Sequence, residues 1–307
     1  MPEPPTESAL PSAADAEALV PGPESVAWRI SADARILSTA GYALLLQVAH
    51  PTVGAGVAEH SNFRADPWGR LLRTLDYTTI MTYGGAKLAA QTGRRVRDMH
   101  KHIKGRLPDG SNYYALEPGP YAWVHATLAD AIVTGHRCFG LRLDAEEVEE
   151  FWREWRAMGR LVGVRLSELP EDWAEFGPYF DRMVAEVLED NETVGDVLDS
   201  LAAPDAPPLP MLRGRAWRIA RFPAARLGSL ATVGLLPPLL RERFGLRWGR
   251  GKELELRGLG AASRRMTPLM PASMRNFGPS YLRWRREAIA RGEVASGTPA
   301  QSQATPA

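Results

Sequence analysis

Apolar residues recur along this chain at helical spacing. Phe151, Trp152, Trp155, Met158 and Leu161 fall at three- and four-residue intervals on one side of a helix. Asp144-Ala-Glu-Glu147 precedes them as a capping box, so a helix is predicted from Val148 to Leu161. Asp66-Pro67-Trp68 predicts another, with Asp66 as N-cap and Pro67 at the first position, running to about Tyr83, where Gly84-Gly85 breaks it. Ala86 to Lys104 reads as the next, stopped by Gly105. Glu24 to Val48 reads as one or two helices that end before Pro51. Pro118 and Pro120 open a helix to about His136, Pro178 opens one through Val187, and Thr193 caps a short one. Residues 202–210, AAPDAPPLP, form a Pro-rich elbow, followed by helical stretches near 211–222, 227–236, 251–266 and 279–291. Residues 106–117 hold the turn pair Asp109-Gly110 and give the one short extended piece. No run alternates apolar and polar residues, and no internal repeat is visible. The expected fold class is therefore all-α, with helices packed on one another.

Composition narrows the class. A chain of 307 residues, 45% hydrophobic and 24% charged, has the balance of an ordinary globular protein and can bury a substantial core. The single cysteine, Cys138, can build neither an internal disulfide nor a Cys-rich zinc or iron–sulfur site. Residues 1–24 are rich in Pro, Ala, Ser and acids and lack Lys and Arg, which reads as a disordered leader and not a signal peptide. Residues 293–307 read as a polar, disordered tail, leaving 25–292 as one helical domain. From Ile36 to Ala58 no Asp, Glu, Lys or Arg occurs, close to the length of a membrane span. Gln47, His50, Pro51 and the glycines interrupt it. A buried helix ending at His50–Pro51 and a second short helix are expected, in a cytoplasmic protein without integral membrane association.

Net charge is +1, unevenly placed. Residues 205–290 carry 17 Lys and Arg against 5 Asp and Glu. Such a block suits phosphates, acidic lipid or an anionic substrate. It equally suits plain helix surface in a chain with 33 Arg and 4 Lys. The arginines form no compact basic stripe, so no nucleic-acid partner is expected.

The sequence lacks an HExxH pair, a P-loop, a GxGxxG turn before a helix and a GxSxG elbow. What remains is histidines on helices with basic residues nearby, which is compatible with an axial ligand beneath a porphyrin. Arg70, Arg73 and Thr74 stand at i, i+3 and i+4 and are expected to share a face. The next helix carries Arg94, Arg97, His100 and Lys104 at helical spacing. A flat cofactor fits between two such helices, with His100 on one side and Arg73-Thr74 on the other. A surface salt-bridge face with an incidental histidine has the same spacing. His50 either lines a pocket or is a helix-end histidine satisfied by backbone carbonyls. His125 is either a pocket residue or a buried, satisfied one. His60 reads as a cap-region residue, and His136 as structural.

Four ordered blocks carry a resemblance: GYALLLQVAHPTVGAGVAEHSNF, GRLLRTLDYTTIMTYG, VRDMHKHIKG and YYALEPGPYAWVHATL. Together, over roughly residues 25–290, they resemble the MpaB / rubber oxygenase catalytic domain, the family of the latex-clearing proteins. The resemblance implies a globin-like helical core with b-type haem, and use of O2 to cleave carbon–carbon double bonds in isoprenoid-like hydrophobic substrates. In the family pattern H-x-x-(V/I)-x-G the histidine is the proximal iron ligand, which implies His100 in HKHIKG. His102, about 200° further round a helix, is not its equal. Arg97 and Arg70 are the implied cofactor-binding arginines. The family's distal R-x-x-K-T is matched by Arg70 and Thr74, but Arg73 replaces the lysine. A guanidinium has no lone pair to give iron. The expectation is an open sixth position with Arg73 as a donor to bound oxygen. A haem-binding sensor or carrier without turnover is the alternative, and a helical interaction protein without cofactor a third reading.

Overall fold

Side-chain caps decide where many of these helices begin. Ser12, Ser25, Asp66, Asp144, Asp172 and Asn191 each accept an N–H from the first turn of the helix they open. The computed structural model describes residues 10–207 and 214–290. In chain order the helices are α1 (Ala13–Glu17), α2 (Val26–Ser31), α3 (Ala40–Val48), α4 (Pro51–His60), α5 (Pro67–Tyr83) and α6 (Ala86–His100). A two-stranded antiparallel hairpin follows, β1 (Lys104–Arg106) and β2 (Asn112–Tyr114), with Gly105 opposite Tyr113. Then come α7 (Pro118–Phe139), α8 (Ala145–Gly159), α9 (Trp173–Arg182) and α10 (Glu192–Ala202). The chain closes with α11 (Arg215–Leu235), α12 (Pro238–Arg243), α13 (Arg250–Met266), α14 (Ala272–Arg275) and α15 (Phe277–Ala290). The protein is all-α apart from that small hairpin.

Helix α7 is the axis of the molecule. It is buried on nearly every side from Ala122 to His136, and its polar members His125, Thr127, Asp130 and His136 find hydrogen-bond partners inside. The α3 helix, the 3-10 segment Ala34–Thr39, α8 and α13 pack around it. One core cluster gathers Phe151, Trp152, Trp155 and Met158 of α8 against α7. A second gathers Leu45 and Leu46 of α3 with Trp123, Val194 and Leu240. The uncharged stretch 36–58 is folded inside, broken at Ala49–His50. There Glu189 donates its N–H to the Ala49 carbonyl and Asn191 Nδ2 donates to Val48 O at 2.9 Å. Among the described residues, no helix is long and apolar enough to cross a membrane.

Several expectations need correction. The expected leader is not irregular over its described part. Ser12 and Asp15 form a capping box for α1, and Ala16 and Leu19 are buried against the core because α1 packs on α6. Helix α6 stops at His100, before the expected Lys104. Gly105 is required by close approach, since a Cβ there would meet Glu59 and Tyr113. Pro178 lies inside α9, because Asp172 caps six residues earlier and the Trp173 and Phe176 rings stack at 4.2 Å. A π turn over Met183–Val187 follows it. Asn191, not Thr193, caps α10, and the Thr193 hydroxyl instead donates to Gly54 O of α4. The two helices expected at 211–222 and 227–236 are one in α11 from Arg215, which runs through Pro223. Residues 208–210 of the elbow and the whole 293–307 tail lie outside the described residues.

Candidate functional site

Helix α5 forms one wall of a cavity of about 660 Å3, closed by α3, α7, α11 and the segment 34–39. Thr74, Thr78 and Thr82 recur every fourth residue on α5 and all face it. Their hydroxyls donate back to carbonyls of their own helix, Thr74 to Arg70 at 3.2 Å, Thr78 to Thr74 at 3.0 Å and Thr82 to Thr78 at 3.0 Å. Thr79 does the same to Leu75. These threonines therefore have no hydroxyl proton left for a ligand, and they behave as a nearly apolar wall. Leu71 and Leu75 of α5, Leu44 of α3, Leu128 and Ile132 of α7 and Leu227 of α11 supply the rest of its apolar character. The Gln47 amide at its edge donates to Thr127 Oγ1 at 3.1 Å. Among the described residues, only three charged ones border the cavity: Arg35, Arg70 and Asp205.

Arg70 is the charged member on α5. Its Nη1 donates to Ser61 Oγ at 2.9 Å. Burial, with the nearby charge of Arg73, lowers its pKa to about 10, so it stays protonated at neutral pH. Arg73 itself does not reach the cavity. On a helix it lies about 60° to one side of Arg70 while Thr74 lies about 40° to the other. The rotation carries Arg73 into solvent, where Nη1 stands 3.7 Å from Asp66. The expected shared face therefore holds Arg70 and Thr74 but leaves out Arg73.

His100 ends α6. Its Nδ1 is 2.7 Å from the Val96 carbonyl oxygen. A carbonyl only accepts, so Nδ1 carries the proton and Nε2 keeps its lone pair. Burial lowers the pKa of His100, and the Arg70 charge lowers it further, against the Val96 hydrogen bond. The ring is therefore neutral at pH 7, with Tyr121 edge-on at 5.7 Å. His100 is not part of the cavity lining. Arg70, which lines the cavity and acts electrostatically on the imidazole, is the link between the two. His102 sits in an exposed turn after the helix, so a helical angle does not describe it.

The other expected residues lie elsewhere. Arg97 reaches Gly163 O at 3.5 Å, leaves its buried Nε without a partner, and does not line the cavity. His50 is buried at the start of α4, with Nδ1 unpartnered and a pKa lowered by burial to about 4. It neither lines the cavity nor finds a carbonyl for Nδ1. His125 Nε2 donates to Trp155 O at 2.8 Å, and Trp155 Nε1 donates to His125 O at 3.0 Å. It ties α7 to α8 and stands one residue behind the cavity, which Trp155 borders. His136 donates from Nε2 to Ile30 O and accepts the Leu141 N–H at Nδ1, so it is structural. His60 lies near the end of α4, where Nε2 is 3.3 Å from Lys104 O. The wall residues Thr78 and Thr82 are residues that motif reading missed. Their four-residue threonine spacing is visible in the sequence.

Among the described residues no three His, Cys, Asp or Glu side chains gather to hold a metal ion. A lone neutral histidine makes a metal centre only where another group fills the remaining positions, as a porphyrin does. The donor set fits that case: one imidazole with a free Nε2, a half-buried cation that acts on it electrostatically, and an apolar cavity which that cation borders.

An all-α fold around an apolar cavity, bordered by a cation that acts on an imidazole outside the lining, defines a helical protein built to take a hydrophobic small molecule. Residues 28–265 match the sequence model of the ER-bound oxygenase mpaB/B'/rubber oxygenase catalytic domain, and the chain belongs to this oxygenase family. No curated protein and no solved structure matches it.

Proposed function

We propose that this protein is a haem b-dependent oxygenase that holds a hydrophobic substrate in the α5 cavity and uses O2 to cleave a carbon–carbon double bond. The observation that carries the reading is the His100–Val96 hydrogen bond, which fixes the tautomer and leaves Nε2 as the atom that would hold the haem iron. When bound, haem supplies the activation of O2 and the oxidative chemistry. The chain supplies the rest. His100 gives its neutral Nε2. Arg70 keeps a positive charge between the imidazole and the cavity, suited to a propionate carboxylate or to negative charge developing near it. Thr74, Thr78 and Thr82, with their hydroxyls turned into their own helix, hold an apolar chain and exclude water. Arg73 has no part in this reading, because it faces Asp66.

The test is the absorption spectrum and pyridine haemochrome of the purified protein, with His100→Ala and His102→Ala. A Soret band in the wild type and in His102→Ala, lost in His100→Ala, is expected. Equal haem loading in the two variants overturns the axial assignment. Oxygen consumption with an alkene substrate then separates turnover from mere haem binding.

A further inference from the structure

A second cleft, of about 410 Å3, lies against the first cavity. Its character is opposite. Among the described residues five arginines border it, Arg29, Arg35, Arg142, Arg264 and Arg275, against one carboxylate, Asp33. The two spaces share Arg35 and run on from each other along the same chain segments. Phe139, Ser263 and Phe277 face the cavity, while their chain neighbours Gly140, Arg264 and Asn276 face the cleft. At the junction Asp33 forms an isolated β-bridge with Asn276, and Phe277 donates its N–H to Ala32 O at 2.6 Å.

The carboxylate does not neutralise the cleft. Arg35 takes both Asp33 oxygens, with Nε at 2.9 and 3.0 Å and Nη2 at 2.5 Å. Arg29 is paired with Glu147. Arg264 donates to the Cys138 carbonyl, which is uncharged. The side chains of Arg142 and Arg275 are exposed and make no hydrogen bond or ion pair among the described residues. Three guanidinium charges are therefore left uncompensated at one end of a cavity whose walls are apolar.

We infer that the cavity and the cleft form one binding site for an amphiphile with an oxyanion head, a long-chain carboxylate or phosphate monoester, its chain in the α5 cavity and its head on Arg142, Arg264 and Arg275. Guanidinium forks match both head groups, and the apolar wall takes the chain. This rests on the proposed reading of the cavity as the substrate site. It deepens that reading by giving the hydrophobic substrate a charged end and a direction. It also gives a task to part of the basic surplus of residues 205–290, since Arg264 and Arg275 belong to that block.

The test is displacement of a neutral naphthylamine dye from the purified full-length protein by oleate, oleyl phosphate and oleyl alcohol, each below its micelle concentration. The two anions are expected to bind about tenfold or more tighter than the alcohol at low salt, and to lose that margin as salt is raised. The double variant Arg142→Glu/Arg275→Glu is expected to bring the anions down to the alcohol while leaving alcohol binding and the thermal midpoint unchanged. The tighter of oleate and oleyl phosphate identifies the head. Equal binding of alcohol and anions in the wild type overturns the anionic head but leaves the cavity reading standing. An anion preference that survives in the double variant overturns the cleft as its seat. If neither the dye nor any of the three ligands binds, both the cavity reading and this inference fall.

Discussion

Asp76 on α5 is held by two groups from α15. Arg285 approaches it two-pronged, Nε to Oδ1 at 2.9 Å and Nη2 to Oδ2 at 2.8 Å, and the Tyr281 hydroxyl donates to the same Oδ1 at 2.6 Å. Arg285 and Asp76 side chains are only 14% and 19% exposed. The contact ties the cavity-bearing helix to a helix outside the span matched by the family, and Phe277 and Gly278 of that helix border the cavity. Removing one partner of a largely buried pair leaves the other charge uncompensated. Arg285→Ala and Asp76→Asn are each expected to cost about 3 kcal/mol in urea unfolding. The double variant should cost much less than the sum. Additive losses would mean that the two residues act separately.

Arg70 and Arg73, three residues apart, should behave differently. The Arg73–Asp66 pair is half exposed at 3.7 Å, so Arg73→Leu is expected to change stability by less than about 1 kcal/mol and to leave haem content at the wild-type level. Arg70→Leu removes the half-buried cation that acts on His100. Haem retention should fall several-fold, and the imidazole of the haem-free variant should titrate at higher pH than in the wild type, because the Arg70 charge lowers it. Proton NMR of the His100 ring checks the second point. An unmoved His100 titration with normal haem content would place Arg70 outside the site.

The α5 wall yields a third expectation. Since the Thr78 hydroxyl donates to Thr74 O and borders the cavity, Thr78→Val removes only an intrahelical hydrogen bond and keeps the shape. Stability should change by less than about 1 kcal/mol, and binding of a neutral apolar dye should hold or tighten. Weaker dye binding would show that the hydroxyl serves the ligand.

Local chemistry was legible in the sequence wherever it decided the outcome. Asp66-Pro67 starts α5 and Gly84-Gly85 ends it as expected, because cap and breaker act within one turn. The capping box at Asp144 starts α8 for the same reason. Expectation failed where a distant partner decides. Thr193 can cap a helix, but Gly54 O offers its hydroxyl a better-placed acceptor. Pro178 can start a helix, but an earlier aspartate starts it first. Around the cavity, the four-residue spacing put Arg70 and Thr74 on one face of α5, and both line it, whereas His100 was singled out by the HKHIKG resemblance and stands outside the lining. Arg73 was not separable from Arg70 and Thr74, because a 60° turn toward solvent depends on what α5 packs against. The arginine cleft was visible only as a surplus of charge, since its members come from four distant segments.

Two buried groups on α7 give opposite pH dependences. Burial lowers the pKa of His125 from 6.5 to about 4, with the bond to Trp155 opposing it. The unfolded chain then binds a proton that the folded chain refuses. The contribution of His125 is complete above pH 6.5 and is lost as pH falls toward 4, up to roughly 3 kcal/mol at 1.36 kcal/mol per pH unit. Asp130, buried beneath the Tyr42 hydroxyl at 2.5 Å, is pushed the other way, from 3.8 up to about 6. Its contribution is complete below pH 3.8 and is lost as pH rises through 6, again up to roughly 3 kcal/mol. Between pH 4 and 6 the two nearly offset. Asp130→Asn keeps an acceptor for Tyr42 and removes the titration, so it should stabilise the protein above pH 6 and expose a steeper loss on acidification. His125→Gln should instead leave the Asp130 slope uncompensated, so that stability rises as pH falls from 6 to 4, at some constant cost in packing against Trp155. Urea midpoints at pH 4.5, 5.5 and 7 measure both slopes. If the two variants change the pH slope in the same direction, at least one of these groups does not titrate between pH 4 and 6.5 in the folded protein.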